Sequence, residues 1–179
     1  KPVELTVYMR NDAIFEKKFR SKGEGEKKQF QEIEFKLPKA FEYRVEITGT
    51  GDFEISVPRE TPFLFESSVT RPAWVSYSGP HYFYVPKGTG ELIVDANPRL
   101  SLMIPGKGRR DLVSSDRING KSYIAVKVPE GADGTIWHTM SQTRGKITLL
   151  NTPPLFSLHR NTIFVPREVS EAEGLSTRP

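Results

Sequence analysis

Along much of this chain apolar and polar residues alternate with a period of two. Val3, Leu5, Val7 and Met9 alternate with Glu4, Thr6, Tyr8 and Arg10, and Ile33, Phe35 and Leu37 with Glu32, Glu34 and Lys36. Tyr43, Val45 and Ile47 alternate with Glu42, Arg44 and Glu46, and Phe53, Ile55 and Val57 with Asp52, Glu54 and Ser56. Each run sets one row of side chains in oil and the other in water, as half-buried antiparallel strands do. Gly49 and Gly51 with Asp52 separate the last two runs and predict a hairpin turn.

The second half repeats the pattern with shorter polar spacing. It predicts strands at 73–77, 81–85, 91–95, 100–104, 122–128, 135–140 and 146–151. Turn chemistry separates them: Ser78-Gly79-Pro80, Lys87-Gly88, Asn97-Pro98, Gly106 with Gly108, Asn119-Gly120, and Gly131 with Gly134. Helix signals are thin. Residues 170–174, with Glu171 and Glu173 after Ser170, predict one short turn without an apolar face.

Val57-Pro58-Arg59-Glu60 recurs as Val165-Pro166-Arg167-Glu168, and Val85-Pro86-Lys87-Gly88 as Val128-Pro129-Glu130-Gly131. The spacings are unequal, so the echo is a recurring strand exit rather than a solenoid repeat: proline cannot donate to a ladder, and the charged residue turns into solvent. Residues 62–72 read as a connection whose apolar centre, Phe63, Leu64 and Phe65, is buried between units or forms a strand. The expected organisation is an N-terminal sandwich-like unit at 1–68, a C-terminal sandwich at 69–155 and an extended tail or linker at 156–179, which packs back or meets a neighbouring module. One continuous sandwich is the alternative. The expected fold is thus all-β, an antiparallel jelly-roll-like sandwich with almost no helix.

Composition narrows the function classes. The chain has 179 residues, 36% of them hydrophobic and 11% aromatic, which is enough to fill a core. With no cysteine, disulfides, thiolate metal sites and thiol catalysis are excluded. The net charge of +4 is mild, so no nucleic-acid partner is expected. No apolar run approaches about 18 residues, so no membrane insertion is expected. The opening at Lys1, without an apolar leader, is expected of a mature or excised product. The densest basic run is Lys107, Arg109 and Arg110, with Arg117 and Lys121 nearby. It reads as a solvated hairpin tip, with a phosphate or sulfate contact as the alternative.

Catalytic signatures are missing. His81, His138 and His159 stand alone rather than at metal-ligand spacing. No G-x-S-x-G elbow occurs. Gly120-Lys121-Ser122 resembles the end of a phosphate loop, but Ser115 stands where the first glycine belongs and a strand follows where a helix is needed. Glu32 and Glu34 share a strand face, as acids do in some β-sandwich glycosidases, yet Lys36 follows and no second pair supports them. Asp95, Asn97 and Asp133 are isolated oxygen donors rather than a calcium loop. No metal or cofactor is expected.

Aromatic residues are the remaining lead, because sugars present apolar faces that stack on Trp and Tyr. The candidates are Trp74, Tyr77, Tyr82, Tyr84 and Trp137. Tyr82 and Tyr84 lie opposite in phase to Phe83 and Val85, which predicts an outward tyrosine pair. One of Trp74 and Tyr77 is expected to face out, and Trp137 is expected to be exposed or to cover a sheet edge.

Tyr82-Phe83-Tyr84-Val85-Pro86-Lys87-Gly88-Thr89, followed by Glu91-Leu92-Ile93-Val94, resembles a strand pair of accessory β-sandwich domains in large secreted bacterial proteins. These are similar to the bacterial pre-peptidase C-terminal domain and to jelly-roll carbohydrate-binding modules. The segment from Val126 to Gly131, then Asp133-Gly134, Trp137 and Leu149-Leu150-Asn151-Thr152-Pro153-Pro154, resembles its continuation, and Phe164-Val165-Pro166-Arg167-Glu168-Val169 its close. The resemblance implies a non-catalytic appendage of an exported or cell-surface protein and carries over no binding residue. The expected function is therefore an accessory region that binds a polysaccharide. A structural spacer or protein-docking module is the alternative, and a small glycosidase is the least favoured.

Overall fold

The structure is a computed structural model, and it describes residues 2–9, 11–20, 33–34, 37–38, 43–49, 61–75, 79–96, 100–111, 123–141 and 145–176. The run expected at 53–57, Phe35 and Lys36 of the run expected at 33–37 and most of the turn at 49–52 lie outside these residues, while Ile33, Glu34 and Leu37 of the 33–37 run belong to no strand. So do Tyr77, Asn97-Pro98, Arg117, Asn119-Gly120 and Lys121. The chain divides into two compact units, Lys1–Ser56 and Val57–Pro179. The boundary expected near 68 falls inside the second unit.

In the first unit β1 (Pro2–Met9) lies between β2 (Asp12–Arg20) and β3 (Tyr43–Thr48), both antiparallel to it. The pattern did not reveal β2, because Glu16, Lys17 and Lys18 place three charges in a row. Pairing explains it. Val3 faces Phe19 and Val7 faces Phe15, while on the other face the Glu4 carboxylate lies 3.5 Å from the Lys18 ammonium. Charges on this outer strand discourage further edge pairing. On β3 the Arg44 guanidinium sits 4.4 Å from the centre of the opposing Tyr8 ring.

The second unit is one long hairpin rolled into a sandwich. Its strands are β4 (Leu64–Glu66), β5 (Ala73–Val75), β6 (His81–Val85), β7 (Glu91–Ala96), β8 (Leu100–Ile104), β9 (Gly108–Asp111), β10 (Tyr123–Lys127), β11 (Thr135–Ser141), β12 (Gly145–Leu149) and β13 (Leu155–Ser157), followed by α1 (Arg167–Glu173). β8 pairs with β9 at the tip. Then β7 pairs with β10, β6 with β11, β5 with β12 and β4 with β13, all antiparallel. Rolling adds the pairings β7–β12, β8–β11 and β6–β13. The result is a four-stranded sheet, β10-β7-β12-β5, and a six-stranded one, β4-β13-β6-β11-β8-β9. Within them, β5-β12-β7-β10 and β6-β11-β8-β9 have the strand orders of a jelly roll. β4 and β13 extend the second sheet, so a strand upstream of residue 68 and the start of the expected tail are both parts of this sandwich.

Alternation fills its interior from both sheets. Phe83, Val85, Leu100, Leu102, Ile104, Trp137 and Phe156 meet Leu92, Val94, Ala96, Ile124, Val126, Ile147 and Leu149 in one core cluster. Aromatic rings run through it. Phe83 packs on Trp137 with centroids 6.4 Å apart and edge-on to Phe156 at 5.5 Å, and Phe156 stacks on Phe65 at 5.2 Å. Such pairs each contribute about 0.5–1.5 kcal/mol beyond burial.

The Val-Pro-x-Gly echo is the same turn built twice. The Pro86 carbonyl accepts from the Thr89 N–H and the Pro129 carbonyl from the Ala132 N–H, while Gly88 and Gly131 take φ of 79° and 74°. The two turns are tied together. Val128 N–H donates to the Gly90 carbonyl, and Gly88 N–H to the Asp133 carboxylate at 2.8 Å.

Candidate functional site

The outer face of the six-stranded sheet carries the side chains that the core does not take. Because Phe83, Val85 and Trp137 point inward, Tyr82, Tyr84, Ile136, His138 and Met140 are directed outward. Strand register sets a row across this face: Leu64 stands beside Ser157, Ser157 beside Tyr82, Tyr82 beside His138, His138 beside Met103, and Met103 beside Arg109. The partly buried Tyr82 and His138 rings are 5.1 Å apart and tilted by 47°. Met140 is 44% exposed on the same face and stands beside Ser101, whose hydroxyl accepts from Arg109 Nε at 3.2 Å. Burial holds the His138 pKa below the usual imidazole value, and the Arg160 guanidinium lowers it further. The ring is therefore a neutral surface at physiological pH.

The expected aromatic platform is only partly present. Tyr84 does leave the core cluster, but it is 7% exposed, and its hydroxyl donates to Glu173 of α1 at 2.6 Å. Burial, then the neighbouring Glu173 and Asp133 carboxylates, pushes the phenol's pKa above its ordinary value, so it stays a donor. Trp137, expected at the surface or an edge, is 0% exposed, and its indole N–H donates to the Ala132 carbonyl. Trp74 lies on β5 of the four-stranded sheet, whereas Tyr82 lies on β6 of the six-stranded one. The sandwich core separates those strands, so the Trp74 position cannot join the Tyr82 row. Tyr77 is outside the described residues.

The basic run does not act as one patch. Lys107 is exposed in the β8–β9 turn, and Arg109 belongs to the outer row. Arg110 stands opposite the core residue Leu102 and is partly buried. Among the histidines, His81 points inward, edge-on to Phe65 at 5.5 Å and 3.3 Å from the Thr139 hydroxyl, and burial lowers its pKa to about 4. Among the described residues no group of three or more His, Cys, Asp or Glu side chains is placed to hold a metal ion. No described helix is long and apolar enough to cross a membrane.

Sequence reasoning missed Glu173. Its carboxylate accepts from Tyr84 Oη and, at 2.9 Å, from the Lys87 N–H, fastening the C-terminal segment to the end of β6. The sole signal was Glu171 and Glu173 in a polar stretch that reads as solvated. The motif Leu149-Leu150-Asn151 proves structural: Asn151 accepts from the Ile93 N–H at 2.8 Å and donates to the Glu91 carbonyl at 2.7 Å, continuing the ladder along β7 with its side chain. No family model, curated protein or solved structure matches this chain.

Proposed function

We propose that this chain is a non-catalytic accessory region of an exported protein, and that its jelly roll binds a polysaccharide on the outer face of the six-stranded sheet. The observation carrying this reading is the Tyr82–His138 pair, two neighbouring rings on central strands, partly open to solvent and bordered by the exposed Met140. A sugar ring laid on Tyr82 gains apolar contact, and the exposed Arg109 in the same row is a hydroxyl-bonding group. A shallow face buries little of its ligand, so the affinity is modest. A second reading, a structural spacer or docking module, is favoured by the burial of Trp137 and Tyr84, two of the rings expected to bind.

Affinity electrophoresis in soluble xylan, mannan and hydroxyethyl cellulose separates the two. Retardation by at least one polymer, abolished by Tyr82→Ala at unchanged melting temperature, supports the carbohydrate reading. Free migration in all of them favours the spacer.

A further inference from the structure

We infer that α1 is a latch on this face: held by Glu173, it covers Tyr84, and its release adds a second aromatic ring to the Tyr82 surface. The inference rests on the carbohydrate reading above, whose site it regulates. Tyr82 and Tyr84 stand two residues apart on β6, on one face and about 6–7 Å from each other. The strand itself gives both the same outward direction, since Phe83 and Val85 lie in the core cluster and neither tyrosine does. Tyr82 is partly open and lies against His138, while Tyr84 is nearly closed and carries the hydrogen bond to Glu173.

The cover is weakly held. α1 is seven residues long and buries none of them. A helix that short has no stability of its own in water. It is shaped by its termini: Gly174 takes φ 64°, its N–H donates to the Glu171 carbonyl, and Leu175 N–H donates back to Ser170. Between α1 and the exit of β6 lies an open cleft of about 510 Å3 lined by Pro86, Lys87, Glu168, Val169, Ala172 and Glu173, so the helix does not pack closely against the strand end. The Glu173 carboxylate, bonded to Tyr84 and to the Lys87 N–H, is the tie across that cleft. Two charge-assisted bonds without a packed apolar face suit an element that opens locally while the sandwich stays folded.

Tyrosine nitration with tetranitromethane, mapped by peptide mass spectrometry, reads the cover directly. The intact chain should be nitrated at Tyr82 and protected at Tyr84. In Glu173→Ala, and in a chain ending at Pro166, Tyr84 should become reactive at least fivefold faster with the core melting transition retained. Both variants should also bind the polymer that retards the intact chain about threefold to tenfold more tightly, the gain of one stacked ring. Protection of Tyr84 in both variants overturns the latch, as does reactive Tyr84 with unchanged affinity for a polymer the intact chain binds. Reactive Tyr84 with no affinity for any polymer in any form overturns the carbohydrate reading, leaving α1 a cover without that role.

Discussion

The indole N–H of Trp137 donates to the carbonyl of Ala132 at 2.8 Å, closing the segment from Ala132 to Trp137 on itself. The same carbonyl accepts from the Thr135 hydroxyl, and the Ala132 N–H donates to Pro129. The ring is thus anchored to the turn that precedes its own strand, and its apolar surface is spent on Phe83 and the core. A buried indole needs a partner for its N–H, and this turn supplies it.

Trp137→Ala should therefore cost about 3–5 kcal/mol, the range for emptying a buried aromatic site. Trp137→Phe keeps most of the volume and should cost less, with about 1 kcal/mol for the lost hydrogen bond and the rest for imperfect packing. Urea denaturation of the two variants beside the parent checks both values. A Trp137→Ala chain as stable as the parent would show that the ring is not part of the core.

Stability should fall with acid through His81. Its pKa is 6.5 when unfolded and about 4 when folded, because burial disfavours the imidazolium. Above 6.5 the ring is neutral in both states and contributes no slope. From 6.5 down to 4 the unfolded chain takes up the proton and the folded chain does not, so stability is lost by as much as about 3 kcal/mol. Below 4 both states are protonated and the loss stops growing. Carboxylates titrate in part of the same window, so the measurement is a difference. From pH 7 to pH 4 the parent should lose up to about 3 kcal/mol more stability than His81→Leu, read from denaturant midpoints at each pH. Parallel curves would contradict a buried neutral His81.

How far the sequence could be read follows from where the period-two pattern reports burial. β6, β7, β8, β10 and β11 emerge where alternation places them, since each has one face in the core. β2 and β9 escaped because edge strands need backbone partners more than an apolar face, and their charges mask the period. β13 escaped because it has three residues, too few to show one, and β4, equally short, stood out only as an apolar cluster for which a strand was one of two readings. The aromatics were harder. Phase relative to neighbours correctly turned Tyr82 and Tyr84 away from Phe83 and Val85, but it could not reveal a helix that returns over Tyr84 from 89 residues along the chain. For Trp137 the phase was ambiguous, because Ile136 and His138 on the other face are as apolar as many core rows. Trp74 and Tyr82 looked like neighbours because they are close in sequence, but the roll sends consecutive strands β5 and β6 to opposite sheets.

The rolled hairpin turns at Gly106 and Gly108, whose φ of 72° and 80° lie in the left-handed region. Neither position has an atom within 4 Å of an added Cβ, so a substitution there meets backbone strain and no clash. Gly106→Ala and Gly108→Ala should each cost about 1–2 kcal/mol. Lys107→Ser between them should fall within about 0.5 kcal/mol of the parent, as exposed substitutions do. Thermal melts of the three single variants give the comparison. A large loss at Lys107 would mean that its side chain holds the tip.

The last expectation separates the two tyrosines of β6. Tyr82 is partly open and touches His138, while Tyr84 is tied to Glu173. If Tyr82 is the stacking ring, Tyr82→Ala should weaken polysaccharide binding about tenfold, equivalent to about 1.4 kcal/mol, with little change in melting temperature. Tyr84→Ala should do the opposite. It removes the donor that holds Glu173 and opens a space at the end of β6, so it should lower the melting temperature by a few degrees, about 1–2 kcal/mol. Because Tyr84 is covered in the intact chain, its loss should leave affinity nearly unchanged. His138→Ala should fall between, since that ring props Tyr82 rather than offering the wider surface. Isothermal titration with one polymer and calorimetric melts on the same three proteins provide both readings. If Tyr84→Ala weakens binding as much as Tyr82→Ala, the two rings act together in the resting chain. If neither affects it, the outer face of the six-stranded sheet is not where the ligand sits.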